Sequence, residues 1–333
     1  MRAILQTGYG TVDVLSLADT PAPAAPGPGE VLVKVHAAAV DRGTWHVMAG
    51  RPYPVRPALG LGRPRQPVAG LDLAGTVLEA GPGVTRFRAG DRVFGIGKGA
   101  LAEVACARED KLALAPASLP LEDAAALGVS GLTALGALTA GGVKAGERVL
   151  VIGASGGVGT YAVQLAVALG AEVTGVCSAA KADLVRGLGA RRVLDHARDD
   201  VTAGPERYDL VLDVGGGLPV SRLRRIMAPA GRLVFVGNEA GGDWFGFLWR
   251  PLGAKLRALL TRQRFTMLMN REHFEGLERL AAFVDAGKLR PAVDRRITLE
   301  GVKEALVDLE AGKVRGKIVV RVAEPGAARL SGS

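Results

Sequence analysis

Hydrophobic and polar positions change rhythm partway along the chain. Arg2–Leu5 is a short apolar stretch, and Glu30–His36 alternates with period two, which predicts a half-buried strand. The Pro/Gly/Ala connection Pro21–Gly29 between them holds no regular element. Val68–Glu79 carries another strand signal, and Ala89-Gly90-Asp91 is a tight turn entering a strand at Arg92–Gly95. Short strands punctuated by Gly and Pro predict a small all-β, barrel-like unit over about the first 120 residues.

Near Leu121 the pattern becomes helical. Glu122–Ala140 is rich in Ala, Leu and Gly, with an acidic start that suits a helix N-terminus. Apolar strands then alternate with helices. Strands are expected at Arg148–Gly153, Glu172–Cys177, Arg192–Asp195, Leu210–Asp213 and Leu233–Gly237, and helices at Gly156–Gly170 and Lys181–Leu188. That alternation predicts a doubly wound α/β unit with a parallel sheet covered on both faces. Helices at 271–287 and Leu299–Leu309 and a strand at Lys317–Val322 do not extend the alternation, so this tail is expected to return to the first unit. The expected domains are 1–123 plus 271–333, and 124–270. Ala323–Ser333 reads as a frayed end.

Composition narrows the class. The chain has 333 residues, 48% hydrophobic and 23% charged, as in an ordinary globular protein of about two domains. Cys106 and Cys177 are its only cysteines, which argues against a disulfide framework. No apolar run reaches the ~18 residues of a membrane span, and the N-terminus lacks the marks of a secretory signal, so a cytoplasmic location is expected. The formal charge of +9 divides into +1 for residues 1–124, +6 for 125–270 and +2 for 271–333. A basic middle segment suits a polyanionic cofactor or a nucleic acid, but no basic run interleaved with aromatics is present, so no nucleic-acid partner is expected.

The strongest local signal is the stretch Val149 to Gly159, VLVIGASGGVG. A buried strand ends in a glycine turn and a helix follows at once, the context in which a pyrophosphate rests on a helix N-terminus. Ala154, Ser155, Gly156, Gly157 and Val158 are the candidate cradle. Ala154 stands where the first glycine of G-x-G-x-x-G would be. At the end of the next strand an NAD-binding chain carries Asp or Glu; here Ser178 is followed by Lys181, with Arg191, Arg192 and His196 further on. A hydroxyl and an ammonium suit a 2′-phosphate, which a carboxylate would repel, so the expected cofactor is NADPH. Two other strand ends, at Gly215 and at Val236-Gly237, mark where a ligand crevice is expected.

These motifs, with Gly90-Asp91-Arg92-Val93-Phe94-Gly95, Leu188-Gly189-Ala190, Asp209–Asp213 and Arg315-Gly316-Lys317-Ile318-Val319-Val320, resemble those of medium-chain dehydrogenases/reductases of the zinc-free, quinone-oxidoreductase-like branch. The resemblance covers nearly the whole chain. It implies an α/β protein with a GroES-like β-barrel domain plus a doubly wound parallel-sheet Rossmann domain, and a cleft between them. It places Thr133 at the nicotinamide end and Lys317 near the nicotinamide-side phosphates. It implies a homodimer, with the aromatic and basic segment Asp243–Arg264 flanking the dimer strand.

Zinc-dependent members of the family need Cys and His ligands. The Cys would fall near Asp41, and the Gly-His-Glu stretch reads Gly70-Leu71-Asp72, so no metal is expected. What remains is hydride donation to a quinone or an α,β-unsaturated carbonyl, which spreads the arriving charge itself. Tyr53, similar in place to a tyrosine lining the quinone pocket, and His46 are candidate donors to the acceptor oxygen. Asp41 replaces an Asn of the loop at the nicotinamide edge. Tyr53 also reads as a packed loop tyrosine, and His46 as a surface or core-edge residue. Two alternatives stay open: an enoyl-thioester or polyketide enoyl reductase on the same scaffold, and a nucleotide-sensing or nucleic-acid-binding protein without turnover.

Overall fold

The computed structural model describes residues 1–237, 262–269 and 271–322. Most of the aromatic and basic segment Asp243–Arg264, and the end Ala323–Ser333, lie outside the described residues.

The chain opens with β1 (Arg2–Gln6) and β2 (Leu15–Asp19), an antiparallel pair. Next come β3 (Glu30–Val40), α1 (Arg42–Ala49), α2 (Arg56–Leu59), β4 (Asp72–Ala80), β5 (Arg92–Ile96), β6 (Val104–Arg108) and β7 (Leu112–Leu114). The middle runs through α3 (Leu121–Ala124), α4 (Gly128–Gly141), β8 (Arg148–Ile152), α5 (Gly157–Ala168), β9 (Glu172–Cys177), α6 (Ala182–Gly187), β10 (Arg192–Asp195), β11 (Tyr208–Asp213), α7 (Val220–Ile226), β12 (Met227–Phe235) and β13 (Arg264–Met267). The tail holds α8 (Phe274–Asp285), β14 (Val293–Thr298), α9 (Val302–Glu310) and β15 (Lys317–Arg321).

A six-stranded parallel sheet has the order β10-β9-β8-β11-β12-β13. That is the order of a dinucleotide-binding sheet, whose direction of winding reverses between β8 and β11. Val149, Leu150 and Val151 are fully buried, as expected where helices cover both faces. A seven-stranded sheet carries the main path β14-β15-β3-β4-β5-β7, with β6 paired to β3. The tail does return: β15 pairs antiparallel with β3, Ile318 opposite Val40. No helix among the described residues is long and apolar enough to cross a membrane.

Two departures from the sequence reading matter for the site. β3 continues past His36 to Val40, because Ala37, Ala38 and Ala39 are wholly buried between neighbouring strands. Their small side chains fit a crowded centre but carry no alternation to read. The single helix expected over Glu122–Ala140 is two. The chain breaks at Ala125–Leu127, and α4 restarts at Gly128, where a Cβ would run into the Asp72 carboxylate. The glycine lets α4 begin directly on Asp72, whose Oδ1 accepts the Val129 N–H at 2.7 Å.

Candidate active site

The glycine turn lies at the winding reversal. Gly153 has φ +87°, and Gly153 and Ala154 donate their N–H groups to Val176 O at 3.0 and 2.9 Å, tying the turn to β9. Ala154 is wholly buried and packs where residue 175 is also glycine, so the methyl group that departs from the usual motif occupies space left by Gly175. A Cβ at Gly159 would collide with Gly153 O; that glycine permits the close crossing of turn and helix. Gly156 caps α5 with no side-chain hydrogen bond. The first N–H groups of α5 therefore have no capping side chain, as an anion-binding helix end requires. A Cβ built on Gly156 would meet only Gly153 O, at an ordinary contact distance of 3.6 Å, so no neighbouring side chain crowds the helix end. These residues fit the pyrophosphate of a dinucleotide.

The neighbouring strand ends pack against the same turn. Val214 and Gly215 donate to Ile152 O, and Val236 and Gly237 donate to Asp213 O. Ser178 follows β9 and caps a short 3-10 turn, Ala179–Lys181. His196 is exposed, and its N–H reaches Cys177 O at 3.1 Å. The carboxylate nearest in register, Asp195, accepts from Ala197 N–H and faces Arg198. No carboxylate follows β9 directly: residues 178–181 are Ser, Ala, Ala and Lys.

The other wall is built on a buried ion cluster. Lys317 is fully buried, and its Nζ donates to Asp41 Oδ2 and Asp72 Oδ2, both at 2.9 Å, and lies 3.2 Å from Ser130 Oγ. It is therefore not a solvated lysine: Asp41, Asp72 and Ser130 surround its ammonium. Its stem runs under the turn: a Cβ at Gly157 would lie 3.2 Å from Lys317 Cδ. Asp41 Oδ1 caps α1 through the Thr44 N–H at 3.0 Å, and Ser130 Oγ donates to Asp41 Oδ2. Burial works against the Asp41 carboxylate, but the Lys317 ammonium and the hydrogen bonds around it outweigh that and hold its pKa below the ordinary value. Asp72 is pushed up to about 7, by burial first and by the Asp41 charge, against the pull of Lys317. The two carboxylates raise the Lys317 pKa in spite of burial. As pH falls below about 7 the cluster thus approaches one positive and one negative charge.

Asp41, Ser130 and Lys317 come together beside the glycine turn. Thr133 lies one turn along α4 from Ser130 and donates to Val129 O at 2.7 Å. Tyr53 and His46 belong to the arm that follows Asp41. His46 Nδ1 lies 3.0 Å from Arg51 O, and since a carbonyl only accepts, Nδ1 carries the hydrogen. Arg56 lies over the rings of both Tyr53 and Tyr9, 4.6 and 4.7 Å from their centroids, and donates to Gly50 O.

Sequence reasoning passes over Ser130 and meets Asp72 only in the stretch that replaces a zinc ligand; their roles here exist only once β4, α4 and β15 meet. It also passes over a charge concentration. Five arginines (Arg42, Arg51, Arg56, Arg63 and Arg65) and no Asp or Glu lie between Asp41 and Asp72, an excess hidden when charge is averaged over residues 1–124. Among the described residues no group of three or more His, Cys, Asp or Glu is placed to hold a metal ion.

A parallel dinucleotide sheet joined to a barrel, with the glycine turn at their junction, defines a class, and the comparisons agree with it. Residues 27–117 match the alcohol dehydrogenase GroES-like domain family, and residues 188–320 match the zinc-binding dehydrogenase family. The chain is 32% identical to a chloroplastic quinone-oxidoreductase homolog of Spinacia oleracea, over 96% of this chain and 98% of that one. It is 35% identical to a spectinabilin polyketide synthase system protein of Streptomyces orinoci, over 95% of this chain and 14% of that one. The solved quinone oxidoreductase of Coxiella burnetii superposes with a TM-score of 0.85 at 30% identity, covering 97% of this chain and 99% of that one. The chain belongs to the medium-chain dehydrogenase/reductase family. It is an oxidoreductase of the nicotinamide-dependent kind, with quinone oxidoreductases among its relatives.

Proposed function

We propose that the protein is an NADPH-dependent reductase that delivers a hydride to a quinone or an α,β-unsaturated carbonyl without a metal ion. The observation that carries this reading is the open α5 N-terminus behind the glycine turn, with Ser178 rather than a carboxylate at the end of β9. Bound there, the cofactor supplies the hydride. The chain's own part is to hold the pyrophosphate on the α5 N–H groups, to keep α1 and α4 in register through Lys317, and to offer a proton donor to the acceptor oxygen.

Tyr53 suits the donor role better than His46. With its Nδ1–H turned to Arg51 O, a neutral His46 presents only an accepting Nε2 and donates there only as imidazolium. A phenol donates while neutral. The metal-free step is supported by the residues at the zinc-ligand positions: Leu71 offers no ligand atom, and Asp41 is engaged by an internal ammonium. A homodimer, a cytoplasmic location and the absence of nucleic-acid partners belong to the same reading. The test is steady-state oxidation of NADPH and of NADH against a panel of quinones and enones. The reading requires turnover with at least one acceptor and a kcat/KM at least tenfold higher for NADPH; turnover with NADH alone contradicts it.

A second reading is favoured by the arginine-rich arm. An acceptor bearing an anionic tail, such as an enoyl thioester of a phosphopantetheine carrier, suits an arm that carries five arginines, and one relative carries the name of a polyketide synthase system. That reading expects an enoyl-CoA to surpass an uncharged enone of equal chain length, with kcat/KM falling steeply as salt rises.

A further inference from the structure

The end of β9 and the glycine turn are bridged by a piece of chain from the other sheet. The loop 312–316, just before β15, is anchored at both ends. Gly316 donates its N–H to Ser155 O at 2.9 Å and forms a bridge with Gly156. It has φ +86°, and a Cβ there would strike Ala292 O, so the contact needs glycine. At the other end the Lys181 ammonium, three residues past Ser178, donates to Gly312 O at 2.6 Å and Val314 O at 2.7 Å. The loop therefore spans the distance from the pyrophosphate cradle to the residue that would face the adenosine ribose.

This arrangement changes the charge available there. Two of the three N–H groups of Lys181 are engaged by carbonyls. Arg191 pairs with Glu172, Arg192 with Glu206, and Arg198 faces Asp195. Within the loop Val314 is buried and Arg315 is exposed. Among the described residues Arg315 has no hydrogen-bond or ion-pair partner. It is nevertheless close: after burial and the acidic neighbours, its charge is among the influences on the Lys181 ammonium.

We propose that Arg315 recognises the 2′-phosphate of the cofactor and sets the preference for NADPH over NADH. The inference rests on the NADPH reading and names the residue that enforces it. A guanidinium presents a planar fork that matches two phosphate oxygens, whereas the single N–H left on Lys181 offers one bond. Lys181 is then chiefly a positioning residue that clamps the loop and brings Arg315 to the ribose. Because Arg315 and Gly316 lead directly into β15 of the seven-stranded sheet, a 2′-phosphate held there would also draw the two sheets together.

The test is calorimetric titration of the full-length apo protein with 2′,5′-ADP and with 5′-AMP, for the wild type, Arg315→Ala and Arg315→Lys. The expected result is a wild type that binds 2′,5′-ADP at least tenfold tighter than 5′-AMP. Arg315→Ala should lose about 10- to 100-fold toward 2′,5′-ADP, the size of a lost charge-assisted pair, with 5′-AMP within about twofold. Arg315→Lys should recover part of the loss. Arg315 is exposed, so an unchanged ligand-free unfolding midpoint is expected as the folding control. A wild-type preference for 2′,5′-ADP that survives in Arg315→Ala overturns the inference and leaves the NADPH reading standing. A wild type indifferent to the 2′-phosphate overturns both.

Discussion

Lys317 and Asp41 stand 276 positions apart in the chain and 2.9 Å apart in the fold, both buried. One begins the last strand and the other caps α1, and the lysine stem lies beneath the glycine turn. The pair therefore joins the arm that follows Asp41 to the glycine turn. Removing one partner of a buried ion pair strands the other, which costs about 3–5 kcal/mol. Lys317→Met should lose stability of that order in denaturant unfolding, and Lys317→Met with Asp41→Asn should lose less than the sum of the two single changes. Additive losses would mean that the pair is not coupled.

Asp72 gives the cluster a pH signature. Its folded pKa of about 7 lies above the ordinary carboxylate value, so folding takes up a proton wherever Asp72 is protonated only in the folded state. The contribution of this group to stability therefore falls as pH rises from about 4 to about 7 and is level above that. Asp72→Asn keeps an acceptor for the Val129 N–H and removes the titration. The melting temperature of the wild type relative to Asp72→Asn should decline from pH 5 to pH 7.5. A constant difference would show that Asp72 stays ionised throughout.

Two glycines of the turn should respond in opposite ways. A Cβ at Gly159 collides with Gly153 O, backbone that has nowhere to go, so Gly159→Ala should cost several kcal/mol or abolish folding. Gly156 has ordinary φ of −82°, and a Cβ there would make only an ordinary 3.6 Å contact with Gly153 O. Gly156→Ala should melt within a few degrees of the wild type and yet bind NADPH at least tenfold more weakly, because the methyl occupies the phosphate position. Tight NADPH binding by a folded Gly156→Ala protein would move the pyrophosphate elsewhere.

The order of elements is readable in the residues because buried parallel strands are apolar throughout. Glu172–Cys177 and Arg192–Asp195 have the bounds that their patterns predict. β14 escapes notice because Val293–Thr298 lies at a sheet edge, pairs with β15 alone and carries two adjacent arginines. The candidate site is readable in halves. The glycine turn is local, and seven consecutive residues declare it. The Lys317 cluster draws on β15, α1, β4 and α4, and no window of sequence contains two of its charged members. Lys317 before a strand looks like a solvated side chain until the topology places two carboxylates around it.

The end of β9 offers a reversal of cofactor preference. Ser178→Asp places a carboxylate where the ribose would lie, which accepts from a 2′-hydroxyl and repels a 2′-phosphate. The ratio of kcat/KM for NADPH over NADH should fall by about tenfold or more. An unchanged ratio would remove Ser178 from the adenosine end of the site.

In the proposed function this glycine turn serves a reductase whose hydride step needs no metal ion. NADPH oxidation with a reactive quinone or enone, followed before and after exhaustive treatment with a strong chelator, tests that step. The expected rate is the same in both samples and unaffected by added zinc. A rate that disappears on chelation and returns with zinc would contradict it.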